Sequence, residues 1–115
     1  MRTLNDYFIT AKIADISTAS STFVAIPDGG KVIKIITALQ GAIGTANGAI
    51  TFEIGGTAIT GGAISVTQSG SAAGDVDTST PTAANDVAEE GTIEMITDGA
   101  SSNAIVLYVT FVIRR

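Results

Sequence analysis

The chain of 115 residues contains no cysteine, histidine or tryptophan. Without cysteine there can be no disulfide, zinc–thiolate site or thiol nucleophile, and the redox compartment cannot be read from the sequence. The lack of histidine removes the usual general base at neutral pH and the imidazole metal ligand. Charged residues make up only 15% of the chain, so much of its polar surface must be Thr, Ser, Gly and backbone. No residue pattern identifies a chemical activity, and we expect neither catalysis nor a cofactor.

The abundant residue types favour β structure. The chain contains 16 Ile, 16 Thr and 8 Val but only three Leu, and β-branched side chains suit a pleated, half-buried surface. Its 13 Gly would interrupt any long helix at a cost of about 1 kcal/mol each relative to Ala. With 45% hydrophobic residues the chain is too apolar to be disordered. This length is typical of one domain, which we assign to residues 1–115.

Apolar runs separated by turn signals predict about eight short strands, at 7–17, 22–26, 31–39, 49–54, 57–60, 63–67, 92–97 and 104–113. We expect the first three runs to form a meander. In the third run, simple alternation places Ile33, Ile35 and Leu39 on one face and Val32 on the other. Gly55-Gly56 is a two-residue hairpin signal. The last run is apolar on both faces, which predicts a central position in its sheet.

These features predict an all-β fold, a single-domain antiparallel β-sandwich of about eight strands. The strand count favours a jelly roll, although strand order does not follow from the pattern and small barrels stay open. Residues 1–6 are predicted to form an N-terminal arm. Residues 68–90 are small and polar, with Pro81 near the middle, and are predicted to form a long loop that is either functional or mobile.

Two groups of carboxylates have spacings found in functional sites: Asp75, Asp77 and Asp86, and Glu89, Glu90 and Glu94. The first group, with Ser79, follows a calcium-loop spacing, but Thr80 stands where an EF-hand requires Gly and no helix flanks it. The second could supply the acid pair of a glycoside hydrolase, but four Phe and two Tyr are few to line a sugar cleft. We interpret both groups as solvated acids and predict no metal site and no catalytic residue.

The basic residues are unevenly placed along the chain. All six lie within the first 34 positions or the last two, and the net charge is −5. This balance disfavours nucleic-acid binding. We interpret the acids between residues 35 and 113 as a solvated, acidic outer face; the alternative is that the basic edge formed by the two termini docks on an acidic partner. The uncharged stretch 35–52 is too diluted by Gly and Thr to span a membrane. Because the first six residues have no apolar core, we expect no signal peptide.

Three segments resemble capsid decoration, or cement, proteins of tailed bacteriophages. They are FVAIPDGGKVIKI at 23–35, SGSAAGD at 69–75, and EGTIE at 90–94 with the following Asp98-Gly99. The similarity extends over most of the chain after about residue 20. It implies a small β-sandwich or jelly-roll subunit that is made in the host cytoplasm and binds the outside of the capsid. Such a subunit bridges neighbouring copies of the major capsid protein, and no catalytic residue accompanies the resemblance.

We predict that the arm and the basic end of the chain contact the capsid, through Arg2, Thr3, Leu4, Asn5, Asp6, Arg114 and Arg115. Capsid symmetry makes a homodimer or homotrimer the expected state in solution. The alternative function is a glycan-binding or adhesion module of a phage fibre or surface structure, with its ligand held by the loop 68–90.

Overall fold

The computed structural model describes residues 5–115, and within them it contains only strands and their connections. The ten strands are β1 (Asp6–Ile13), β2 (Ser20–Ile26), β3 (Gly30–Leu39), β4 (Gly48–Ile54), β5 (Thr57–Ala58), β6 (Ile64–Val66), β7 (Val76–Ser79), β8 (Asp86–Val87), β9 (Gly91–Thr97) and β10 (Leu107–Arg114). All pairings between them are antiparallel. The Gly55-Gly56 hairpin prediction is confirmed, since Ile54 pairs with Thr57 around these two glycines.

The strands form two sheets that pack face to face. The first sheet has the order β1-β10-β3-β7, with β8 also paired to β3, and the second has the order β2-β9-β4-β5, with β6 also paired to β4. β7 and β8 share one edge of the first sheet, and β5 and β6 share one edge of the second. Counting each shared edge once gives eight strand positions in the order of a jelly roll. The predicted antiparallel β-sandwich is confirmed.

The core lies between the two sheets and is built by alternation along the strands, which a bulge interrupts in β3. Ile50 and Phe52 of β4 are buried, as are the core-facing residues of β10 from Leu107 to Ile113. The rings of Phe52 and Phe111 meet edge to face, with centroids 5.6 Å apart and planes at 89°, a favoured aromatic geometry. β10 lies between β1 and β3, so its predicted central position is confirmed.

The predicted meander of the first three runs is wrong. β1 and β3 both pair with β10, while β2 belongs to the other sheet and pairs with β9. The connections 14–19 and 27–29 therefore carry the chain across the sandwich instead of turning it back within one sheet. β1 matches β10 over eight residues, from Asp6 opposite Arg114 to Ile13 opposite Leu107. β10, the strand that is apolar on both faces, is therefore flanked by β1 and β3, which both come from the first 39 residues of the chain.

A β-bulge changes the predicted faces of β3. Val112 of β10 lies opposite Lys34, but the next residue, Ile113, lies opposite Val32, so Ile33 is an extra residue without a cross-strand partner. The extra residue reverses the alternation. Val32 therefore joins Ile35 in the core with no exposed surface, whereas Ile33 is half-buried. The prediction that Ile33 shares a face with Ile35 while Val32 lies on the other face is wrong for this reason.

The segment 68–90, predicted as one long polar loop, instead contributes β7 and β8 to the first sheet. Its intervening residues are also held in place: Thr60 and Ala83 form an isolated bridge, and Pro81 and Asn85 are buried. The segment can be polar because it lies at an edge of the sandwich. There, only the side chains that face the core need to be apolar.

Candidate partner interface

Four of the predicted interface residues lie together at one end of the first sheet. Antiparallel pairing of β1 with β10 brings Asn5 and Asp6 beside Arg114 and Arg115. The Arg115 N–H donates to the Asn5 carbonyl at 3.3 Å. The other predicted residues, Arg2, Thr3 and Leu4, lie outside the described part of the chain.

Asp6 and Arg114 form a two-pronged ion pair. Arg114 donates from Nε to Oδ1 of Asp6 at 2.8 Å and from Nη2 to Oδ2 at 3.1 Å. The Asp6 side chain is only 1% exposed, and its hydrogen bond raises the pKa of Arg114. A forked guanidinium–carboxylate pair fixes both groups in direction. Arg114 is therefore engaged within the chain and joins β1 to β10, whereas the side chain of Arg115 is exposed.

The ion pair belongs to a row of charges that crosses the end of the first sheet. Arg114 lies opposite Lys31 in the register, and Lys31 Nζ contacts Asp86 Oδ1 at 3.1 Å. The row thus reads acid, base, base, acid across β1, β10, β3 and β8. Because Lys31 and Asp86 are both well exposed, their contact adds little to stability. The contact places an opposite charge beside both Lys31 and Asp86.

Beyond this row, the outer face of the first sheet is apolar and basic. The register aligns Lys12, Tyr108, Ala38 and Val76 across four strands. Tyr108 is 41% exposed and Val76 61%. The neighbouring rows include Ile36 and Lys34 among their outward residues, together with Phe8 and the pair Thr10 and Thr110. We call the surface formed by Lys12, Lys34, Ile36, Val76 and Tyr108 the basic face.

The outer face of the second sheet has the opposite charge. Its strands contain two acids, Glu53 and Glu94, and no Lys or Arg. Glu53 and Glu94 lie directly opposite each other, and Glu94 is also opposite Phe23, which is 64% exposed. We call the surface formed by Phe23, Glu53 and Glu94 the acidic face. Like charges directly opposite each other destabilise a sheet. A cation close to both carboxylates would offset their repulsion.

Sequence reasoning missed this separation of charge between the sheets. It recognised that the basic residues lie near the two ends of the chain, but not that those segments become neighbouring strands. Every basic residue of the described chain lies in β1, β3 or β10, or directly follows β10. The positions of the basic residues in the sequence are consistent with this separation. The strand order is needed to show that these residues lie in neighbouring strands of one sheet.

The carboxylates with calcium-like spacing do not converge. Oδ2 of Asp75 accepts the Ala72 N–H at 2.9 Å, which closes a local turn. Asp77 lies on β7, and Asp86 contacts Lys31. Within residues 5–115 we find no group of three or more acidic side chains placed to hold a metal ion. Asp75 therefore stabilises a turn, and Asp86 forms an ion pair.

The exposed apolar groups lie on the sheet faces. Over the described residues there is no pocket, and the large exposed apolar side chains all project from the outer faces: Phe8, Phe23, Val76 and Tyr108. Within the same range, no helix is long and apolar enough to cross a bilayer. No family model matches the chain, and a search of curated proteins finds no match.

Proposed function

We propose that this chain is a structural virion protein that binds the outside of a phage capsid and bridges neighbouring major capsid subunits. The observation that carries the proposal is the placement of the exposed apolar side chains on flat outer sheet faces, with no pocket among residues 5–115. Flat apolar surfaces are typical of contacts with other macromolecules, whereas small ligands bind in concave sites. The sequence resemblance to decoration proteins supplies the kind of partner. We propose no catalytic activity.

Stabilisation follows from mass action. A protein that binds the assembled lattice and not the separate subunits raises the free energy of disassembly by RT ln(1 + [L]/Kd). The effect needs no chemistry beyond buried area and complementary charge. A bridging protein that contacts two subunits at once gains further from the high effective concentration of its second contact.

The proposed capsid contact is the end of the first sheet where Asn5, Asp6, Arg114 and Arg115 meet, beside the exposed Phe8 of the same outer face. The ion pair between Asp6 and Arg114 joins the start of β1 to the end of β10. A truncation that tests the arm must therefore stop before Asn5, since removal of Asp6 would leave Arg114 without its carboxylate. Arg115 offers a second probe, because its side chain is exposed.

The test is co-sedimentation with heads assembled from the major capsid protein of the phage that encodes the chain. We expect the intact chain to pellet with the heads and to raise their melting temperature. Deletion of residues 1–4 and Arg115→Ala should each weaken binding about tenfold, as expected for lost interface contacts. Arg115→Lys keeps the charge and serves as the matched control, with binding close to that of the intact chain.

An intact, folded chain that stays in the supernatant and leaves the melting temperature of the heads unchanged would overturn the proposal. The alternative of a glycan-binding module predicts a different result. In that case carbohydrate, and not capsid, would raise the melting temperature of the chain itself.

A further inference from the structure

We propose that two copies of this chain associate head to tail, with the basic face of one copy on the acidic face of the next. The occupant of each face is a second copy of the chain. The inference shares the exposed outer faces with the proposed capsid function, but it can fail separately, because its test measures association of the purified chain in the absence of capsids.

The acidic face lacks a counter-charge. Glu53 and Glu94 lie opposite each other in the register and are half-buried. Their side chains make no hydrogen bond or ion pair within the described chain. Cross-strand neighbours lie about 4.5–5.5 Å apart, so the two charges repel each other in an isolated copy. A partner that brings cations to this pair would relieve the repulsion.

The basic face supplies such cations. Lys12 and Lys34 point outward from β1 and β3, and neither forms an ion pair with another residue in the range 5–115. The other two cations of the first sheet, Lys31 and Arg114, already contact acids of their own chain. Among residues 5–115, two cations without an ion-pair partner, Lys12 and Lys34, thus lie on the outer face of one sheet, and two such acids, Glu53 and Glu94, lie on the outer face of the other.

Each face also offers apolar groups beside its charges. Tyr108 and Val76 lie in the same row as Lys12, and Phe23 lies next to Glu94. Exposed aromatic side chains are frequent anchors of protein interfaces. Contact between the faces would bury these apolar groups together with the charge pairs. The buried apolar groups would supply affinity, and the charge pairs would fix the relative position of the two copies.

The dimensions of the molecule permit such an interface. The principal-axis extents are 38 × 28 × 20 Å, and a sandwich of two sheets packed about 10 Å apart is thinnest across the sheets. A broad face then offers on the order of 800 Å2, the area that each partner contributes to a standard interface. Since the two faces differ, the contact is heterologous and generates either a closed ring or an open stack.

The test reverses the charge of each face and measures mass by sedimentation velocity at low salt. We expect the natural chain to associate, and K12E/K34E and E53K/E94K each to weaken association at least about tenfold, since each variant places like charges at the contact. The control E89K/E90K changes the net charge as E53K/E94K does but lies in a connection off both faces. It should retain association. Circular dichroism verifies that every variant is folded.

Two further samples separate head-to-tail contact from other arrangements. The quadruple variant K12E/K34E/E53K/E94K keeps the net charge of −5 and restores opposite charges at the contact, so it should associate again. An equimolar mixture of the two double variants should also associate, since each carries the complement of the other. A natural chain that stays monomeric at about 100 μM, where a contact of micromolar Kd would be nearly saturated, would overturn the proposal. So would association that survives E53K/E94K or is not restored by the quadruple variant.

Discussion

Asn85 and Val32 exchange two hydrogen bonds across the edge of the first sheet. The Val32 N–H donates to the Asn85 carbonyl at 2.8 Å, and Asn85 Nδ2 donates to the Val32 carbonyl at 2.7 Å. Both residues are buried. Val32 adjoins the bulge at Ile33, where the ladder between β3 and β10 is interrupted. The side chain of Asn85 thus fixes the segment between β7 and β8 to the irregular part of β3.

Replacement of this amide should destabilise the fold. We expect Asn85→Ala to lower the free energy of unfolding by about 1–3 kcal/mol, because it removes the donor of a buried hydrogen bond and leaves the Val32 carbonyl unsatisfied. Urea denaturation measures the change. Thr82→Ala is the matched control in the same segment, since the side chain of Thr82 is exposed and its backbone bond to Thr60 is retained. Equal stability of the two variants would contradict the assigned role of Asn85.

A side chain at Gly29, in the turn between β2 and β3, should lower the stability of the fold strongly. This residue has φ of +69°, and an added Cβ would lie 2.7 Å from both the Val87 carbonyl oxygen and the Glu89 nitrogen. Gly55 has a similar φ of +60° but open space around it. We expect Gly55→Ala to cost about 1–2 kcal/mol from backbone strain. Gly29→Ala should cost about 1–3 kcal/mol more from the added steric conflict, as measured by thermal unfolding.

The connection between β1 and β2 should be sensitive to acid. Hydrogen bonds from the side chain and backbone of Ser17, and then from Thr18, lower the pKa of Asp15 below its ordinary value of 3.8. Because the folded state binds this proton less tightly, the ionised carboxylate stabilises the fold above that value, and the contribution is lost as pH falls through the lower folded pKa. Asp15→Asn should therefore lower the melting temperature at neutral pH, with the difference shrinking as the pH falls below the ordinary pKa of 3.8.

A second variant isolates the donors responsible. Ser17→Ala with Thr18→Ala keeps the carboxylate of Asp15 but removes two of the side-chain hydrogen bonds that it accepts. We expect this variant to lose part of the same pH dependence. A melting temperature that differs from that of the natural chain by the same amount at every pH would show that the hydrogen bonds do not set the pKa of Asp15.

The local features of this fold were predictable from the sequence, whereas its pairing was not. The last run, apolar on both faces, correctly indicated a central strand, and the glycine pair at 55–56 correctly marked a hairpin. Both depend only on near neighbours in the chain. The pairing of β1 with β10 joins residues about a hundred positions apart, and no local pattern favours it over a meander. The bulge at Ile33 was equally hidden, because it depends on how β3 must match β10.

The candidate interface, like the fold, was predictable only in part, because its arrangement depends on strand pairing. The sequence indicated that Asp6 and Arg114 belong to one functional region, and the structure brings them together, but as partners of each other. It did not indicate that Glu53 and Glu94 would face each other, since they are separated by β5 to β8 and part of β9. The charge of a sheet face is a property of strand order, and it becomes visible only when the strands are assembled.

The two sheets should be energetically coupled through Phe52 and Phe111. The rings meet edge to face at 5.6 Å, one from each sheet, and neither is exposed by more than 1%. We expect Phe52→Leu and Phe111→Leu to destabilise the fold individually, and the double variant to cost less than their sum by about 0.5–1.5 kcal/mol, the worth of an aromatic pair. Chemical denaturation of the four proteins gives this coupling energy. Phe52→Leu combined with Tyr108→Leu is the control: Tyr108 lies on the outer face, so these effects should add to within about 0.5 kcal/mol. Additivity of the Phe52 and Phe111 variants would show instead that the sheets are held together by burial alone.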